Sequence, residues 1–237
     1  MLNATACAWE QQRQRLGHAT DRERWTMTPQ TVNAYNYAPF SVVVFTAALL
    51  QPPAFEPTQD AALTYGGIGA IIGHELTHAF DDVGRKFDAT GHVHNWWTTA
   101  DDAHFAAKAA QLVTLYSACE AAPGLHVDGV LTLGENIADI GGLQLAYAAY
   151  HASLHGLQAP VIDGLTGHQR FFLGFEKLRR GQRRPQALRS DVASDPHTPD
   201  ACRVNQAVRN VGGWYEAFGV TPEAPLFLSK ALRTSLW

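Results

Sequence analysis

Between Tyr65 and Phe80 the chain reads YGGIGAIIGHELTHAF, and Ile72, Leu76, Ala79 and Phe80 fall at the spacing of one helical face. Gly69 and Gly73 in the same stretch leave room for a neighbour to pack closely. Upstream, Val42-Val43-Val44-Phe45 is rich in β-branched residues and predicts a strand. Residues 51–59 lie between the two and contain Pro52, Pro53 and Pro57, a connection no helix can cross. Asp101 to Glu120 predicts an alanine-rich helix whose first turn carries two acids, and Pro123-Gly124 closes that region. A third long helix is expected over Glu135 to Leu154, after a hairpin at Asp128-Gly129. A fourth follows over Gln169 to Leu178 and a short fifth over Gly212 to Phe218. The pattern is that of an α+β fold, predominantly helical with small β elements, and it contains no repeat.

Composition narrows the function. Of 237 residues, 46% are apolar, enough for a substantial core. Only 17% are charged, which suggests that part of the surface is normally covered. A net charge of −4 argues against nucleic acid as the partner. The longest strongly apolar run, Val42 to Leu50, is nine residues, whereas a membrane-spanning helix needs roughly twenty. The first residues lack the basic start and apolar stretch of an export signal, so the compartment stays open. Cys7, Cys119 and Cys202 are too widely spaced to reveal a disulfide framework, and their odd number leaves one thiol unpaired within the chain. The six Lys and Arg residues from Lys177 to Arg189 read as a solvated helix end. Gly66-Gly67-Ile68-Gly69 lacks the lysine of a phosphate loop and reads as a packing site, and His92 and His94 read as a surface hairpin.

The strongest chemical signal is His74-Glu75-Leu76-Thr77-His78. Residues four apart lie one helical turn above each other, so His74 and His78 can point two imidazoles at one metal ion. Glu75 lies beside them, placed to act as general base on a water activated there. A catalytic zinc needs a third protein ligand. The extended pattern HExxHxxGxxH is excluded, because Asp81 and Gly84 stand at its last two fixed positions. A glutamate from another helix is the other solution, and Gly134-Glu135-Asn136-Ile137-Ala138-Asp139 offers Glu135 with Asp139 one turn further on. Asp139 is then placed to accept a hydrogen bond from one ligand histidine, and Asp81 from the other.

These motifs resemble the neprilysin-type family of zinc endopeptidases, especially its bacterial oligopeptidase branch. The resemblance runs through Trp25 to Tyr35, Leu50 to Phe55, Tyr65 to Gly69, the HELTH motif, Phe80-Asp81-Asp82 and Gly84 to Asp88. It continues through Trp96-Trp97, Thr132 to Asp139, Gly141-Gly142-Leu143, Asp195-Pro196-His197, Cys202 to Asn205, Glu216 to Gly219 and the terminal Trp237. It implies a zincin catalytic domain of the gluzincin, thermolysin-like type over residues 1–237. One zinc ion is implied on His74, His78 and Glu135, with Glu75 as the base and peptides as substrates. Asp139 stands where the family has a residue described as a proton donor, although its spacing suits an orienting role. His197 matches a histidine that stabilises the oxyanion, and Arg203 an arginine that binds a substrate carbonyl. Asn33 and Ala34 match an edge segment that takes an extended peptide.

Family members are much longer than this chain, which implies a second, mainly helical domain facing the site; they are often extracytoplasmic or membrane-anchored. The chain departs from the family pattern at Asn36-Tyr37-Ala38, at Phe45-Thr46 and at Cys202. No serine-nucleophile elbow or papain-like cysteine signature competes with the metal reading. The alternative is a zinc-binding but catalytically weak fragment or interaction module.

Overall fold

A computed structural model describes residues 2–235; Trp237 lies outside the described residues. The predominantly helical architecture with small β elements is borne out. Helix α1 (Leu2–Arg13) is exposed along almost its whole length. Strands β1 (Ala34–Tyr37) and β2 (Val42–Phe45) pair antiparallel, with Ala34 opposite Phe45 and Tyr37 opposite Val42. A long helical rod follows: α2 (Ala61–Thr64), a π-helical turn at Tyr65–Gly69, α3 (Ala70–Thr77) and a 3-10 turn at His78–Phe80. Then come α4 (Thr99–Ser117), a hairpin of β3 (Glu120–Ala122) and β4 (Leu125–His126), and α5 (Leu133–Ser153). Helices α6 (Gly167–Lys177), α7 (Pro185–Ser194), α8 (Asp200–Val208) and α9 (Gly212–Phe218) complete the chain.

Helices α4, α5, α6 and α8 enclose the main core around Leu112, Tyr116, Ile137, Ile140, Leu143 and Phe171, all almost fully buried. A smaller apolar cluster of Ala34, Leu49, Ala54 and Ile68 seats the β1–β2 hairpin against the helical rod.

Several expectations are corrected. The hairpin turns at Pro123-Gly124, where Gly124 has φ of +73°, not at Asp128-Gly129. Asp128 instead accepts the N–H groups of Val130 and Leu131 through its carboxylate at 2.9 and 3.1 Å, forming the turn that enters α5. Consequently the preceding helix stops at Ser117, and Glu120 begins a strand. Helices α1, α7 and α8 were not expected. The buried face of α8 includes Arg203 and Gln206, so it carries no clean apolar stripe to read, and α7 buries no residue at all. In the helical rod, Ile72, Leu76 and Phe80 are the exposed row, while Gly73, His74, Glu75 and Thr77 are buried.

Cys119 and Cys202 form a disulfide, 83 residues apart, that joins the end of α4 to α8; Cys7 is free and exposed. Closing so long a loop restricts the unfolded chain. Cys119→Ala/Cys202→Ala is therefore expected to lose about 2–4 kcal/mol of stability, read as a lower denaturant midpoint. An unchanged midpoint would show that the packing around α8 holds it without the bond.

Candidate metal centre

The site forms where α3 crosses α5. A Cβ on Gly73 would come within 2.5 Å of the Gly142 carbonyl, and one on Gly142 within 2.4 Å of the His74 nitrogen. Only glycine at both positions lets the two backbones touch, and this contact sets Glu135 and Asp139 of α5 against the histidines of α3. Gly66 is a second close approach, facing the Phe171 backbone, whereas Gly69 meets only its own helix.

Each histidine is held by a carboxylate at Nδ1. For His74 the partner is Asp139 at 2.9 Å, and for His78 it is Asp81 at 2.6 Å. Asp81 leaves helical geometry, and its second oxygen accepts the N–H groups of Val83 and Gly84, so one residue ends the helical rod and orients a ring. The two Nε2 atoms then face each other at 3.0 Å. Glu135 oxygens lie 3.3 Å from Nε2 of His74 and 3.6 Å from Nε2 of His78.

Three ligand atoms about 2.0–2.1 Å from a tetrahedral ion lie about 3.4 Å apart, so this donor set fits a zinc-sized ion. His74, His78 and Glu135 can thus hold a metal.

The electrostatics point the same way. Burial opposes charge on His74, but Asp139 and Glu135 outweigh it and raise its pKa to about 9. Burial also pushes Glu135 up, yet His74, His197 and Arg203 hold its pKa down at about 2. The cluster therefore favours a cation beside an ionised carboxylate. Burial raises Glu75 above the ordinary carboxylate value, against the pull of His74 and His78. Glu75 is only 5% exposed, and its carboxylate makes no hydrogen bond among the described residues.

These groups open into a cavity of about 660 Å³ that also contains Asn33, Ala34, His197, Arg203 and Arg179. Among the described residues β1 pairs on one side only, with β2, and its residues line the cavity. Asn33 Oδ1 accepts the Ala34 N–H at 3.0 Å, so an added peptide strand has to displace that side chain to use it. The unusual Asn36 donates to the Glu75 carbonyl at 2.7 Å, tying β1 to α3. Thr46, also unusual, is buried with its hydroxyl 2.8 Å from the Asn33 carbonyl.

His197 Nδ1 lies 2.7 Å from Asp195, and its Nε2 lies 3.2 Å from Glu135. Arg203 donates to both oxygens of Asp139 and, at 3.3 Å, to Glu135. Asp139 is held well below the usual carboxylate range: burial opposes this, but Arg203 and Arg179 prevail.

Arg179 was not expected here. It belongs to the basic stretch read as solvated, yet its Nη2 lies 3.2 Å from Asp139 and its side chain is 20% exposed. No periodicity marks it, because it follows the end of α6. His92 and His94 do form a surface hairpin, with Phe87 bridged to Val93.

Fold and donor cluster together place the chain among zincin-type catalytic domains. It belongs to peptidase family M13, whose family model matches residues 33–234; this is the neprilysin-type resemblance of the motifs. Human endothelin-converting enzyme 1 is 39% identical over 225 residues, covering 92% of this chain and 29% of that enzyme. The structure of Mycobacterium tuberculosis zinc metalloprotease Zmp1 superposes with a TM-score of 0.94 at 46% identity, covering 96% of this chain and 36% of Zmp1. PepO of Lactobacillus rhamnosis gives 0.84 at 34% identity, covering 94% and 34%. The chain thus spans about a third of the length of these relatives. No helix among the described residues is long and apolar enough to cross a membrane.

Proposed function

We propose that residues 1–237 are the catalytic portion of a zinc-dependent endopeptidase that hydrolyses peptides and small proteins. The observation that carries this reading is the pair of Nε2 atoms and the Glu135 carboxylate, converging beside the buried, unbonded carboxylate of Glu75. Zinc held by His74, His78 and Glu135 would supply Lewis-acid polarisation of a water and of the scissile carbonyl. Glu75 takes the proton from that water and returns it to the leaving amine, a task suited to a carboxyl whose pKa burial has raised. His197, its Nδ1 held by Asp195, donates from Nε2 to the developing oxyanion.

Arg203 uses Nε and Nη2 on Asp139 and Glu135, and its Nη1, without a partner among the described residues, is left for a substrate carbonyl. Asp139, ionised between two arginines, orients His74 and does not serve as a proton donor. The edge at Asn33 and Ala34 takes the peptide as an added strand. Relatives more than three times as long support a whole protein larger than this chain, in which a further domain placed over the cavity would exclude water from it.

Metal analysis tests the ligand set. About one zinc per chain is expected, and His74→Ala is expected to lose it while the wild-type protein reloads after chelation. Equal zinc content in wild type and His74→Ala would refute the ligand assignment.

A further inference from the structure

Arg179 has a charge that the site does not consume. Asp139 carries one negative charge, and Arg203 already engages both of its oxygens. Arg179 adds a second guanidinium to the same carboxylate through a single hydrogen bond, the one its side chain makes among the described residues. Other acids act on it only as more distant charges, from Asp200 and Glu135, and Glu135 belongs to the donor cluster. Burial pulls the pKa of Arg179 below its ordinary value even with Asp139 opposing, so the guanidinium is short of compensating charge. It lines the same cavity as Leu178, Ile71, Ala54 and Leu49, and, unlike Arg203, which makes three hydrogen bonds shared between Asp139 and Glu135, it uses a single hydrogen bond there.

We propose that Arg179 makes this site selective for peptides that present a carboxylate beside the scissile bond. The inference rests on the peptidase reading above and names its substrate class. A carboxylate entering the compartment meets the free N–H groups of Arg179 and forms charge-assisted, partly buried hydrogen bonds. An amide of the same shape cannot neutralise the cation. The carboxylate can come from a Glu or Asp side chain or from a peptide's free C-terminus, and both sources offer the same two oxygens.

The test uses one peptide in matched forms: Glu, Gln or Leu beside the scissile bond, each with a free or amidated C-terminus. Peptide binding is measured by calorimetry on zinc-loaded Glu75→Gln protein, and kcat/KM on the wild type. Glu is expected to exceed Gln by about ten- to a hundredfold in both measurements. A gain from the free C-terminus instead of the side chain would assign the carboxylate to the peptide end. Arg179→Gln is expected to erase the preference and Arg179→Lys to retain part of it.

Equal binding of all forms by Glu75→Gln protein that keeps Arg179 overturns the proposal, whatever the Arg179 variants do. An equal loss for every peptide in Arg179→Gln also overturns it, and shows that Arg179 serves only to hold Asp139. Acid-selective binding without any cleavage would leave Arg179 assigned and refute the peptidase reading instead.

Discussion

Glu75→Gln is expected to keep the fold and the zinc while kcat for peptide hydrolysis falls by about 10²–10⁴-fold. The substitution changes one oxygen to an amide nitrogen and leaves the shape of the side chain. The contact that Glu75 makes with the rest of the site runs through its backbone carbonyl, which accepts from Asn36, and the substitution does not touch it. The carboxylate itself has no hydrogen bond to lose among the described residues. What disappears is the ability to take a proton, because an amide has no basic lone pair near neutral pH. Since Glu75 moves protons only during the reaction and its role does not include holding the bound peptide, KM should change little. The measurement is kcat with zinc content determined on the same sample. A zinc-loaded variant with near-normal kcat would remove Glu75 from the role of base.

Asp139→Ala should cost more in stability than any exposed substitution, about 3–5 kcal/mol, because it leaves buried cations without their counter-charge. Arg203 is 5% exposed and keeps only the 3.3 Å contact to Glu135, while Arg179 loses its hydrogen bond outright. His74 loses the acceptor at Nδ1, so its ring is no longer held with Nε2 toward His78 and Glu135. Zinc affinity is therefore expected to fall about 10- to 100-fold. Denaturant unfolding in chelator separates the first effect from the second, and zinc titration measures the second alone. Unchanged stability in chelator would show that Glu135 suffices for Arg203. Unchanged affinity would show that Asp139 does not position His74.

Much of this site was legible from local spacing. His74 and His78 lie four apart, so any helix through them presents both rings on one side, and Asp81 follows within reach of His78. Glu135 and Asp139 are spaced in the same way on a separate helix. The family resemblance supplied His197 and Arg203, and both line the cavity. Local spacing failed where a residue's environment depends on distant chain. Arg179 lies in a run of cations that reads as solvated, and only the packing of α6 beside α5 carries it to Asp139. Asn36 and Thr46 read as departures beside the substrate edge, yet each hydrogen-bonds the backbone that edge depends on.

By itself the sequence determined the helical rod with its pair of histidines one turn apart, the separate helix that carries Glu135 and Asp139, and the composition of a helical domain with a large core. These are properties of one segment at a time, set by the periodicity of a helix and the chemistry of the side chains. Which face of each helix is buried was decided by the tertiary structure. Ile72, Leu76 and Phe80 form the apolar row, yet the rod buries the side that holds Gly73, His74 and Glu75. Two glycines, Gly73 and Gly142, allow α3 and α5 to cross at backbone distance, and that crossing brings Glu135 to within 3.3 Å of His74. The pairing of Cys119 with Cys202 across 83 residues was decided in the same way. Burial of polar groups is tolerable only when their partners arrive together. Here the partners come from four separate segments, so only the folded chain could show that Arg179 joins His74, Asp139 and Arg203 in one site.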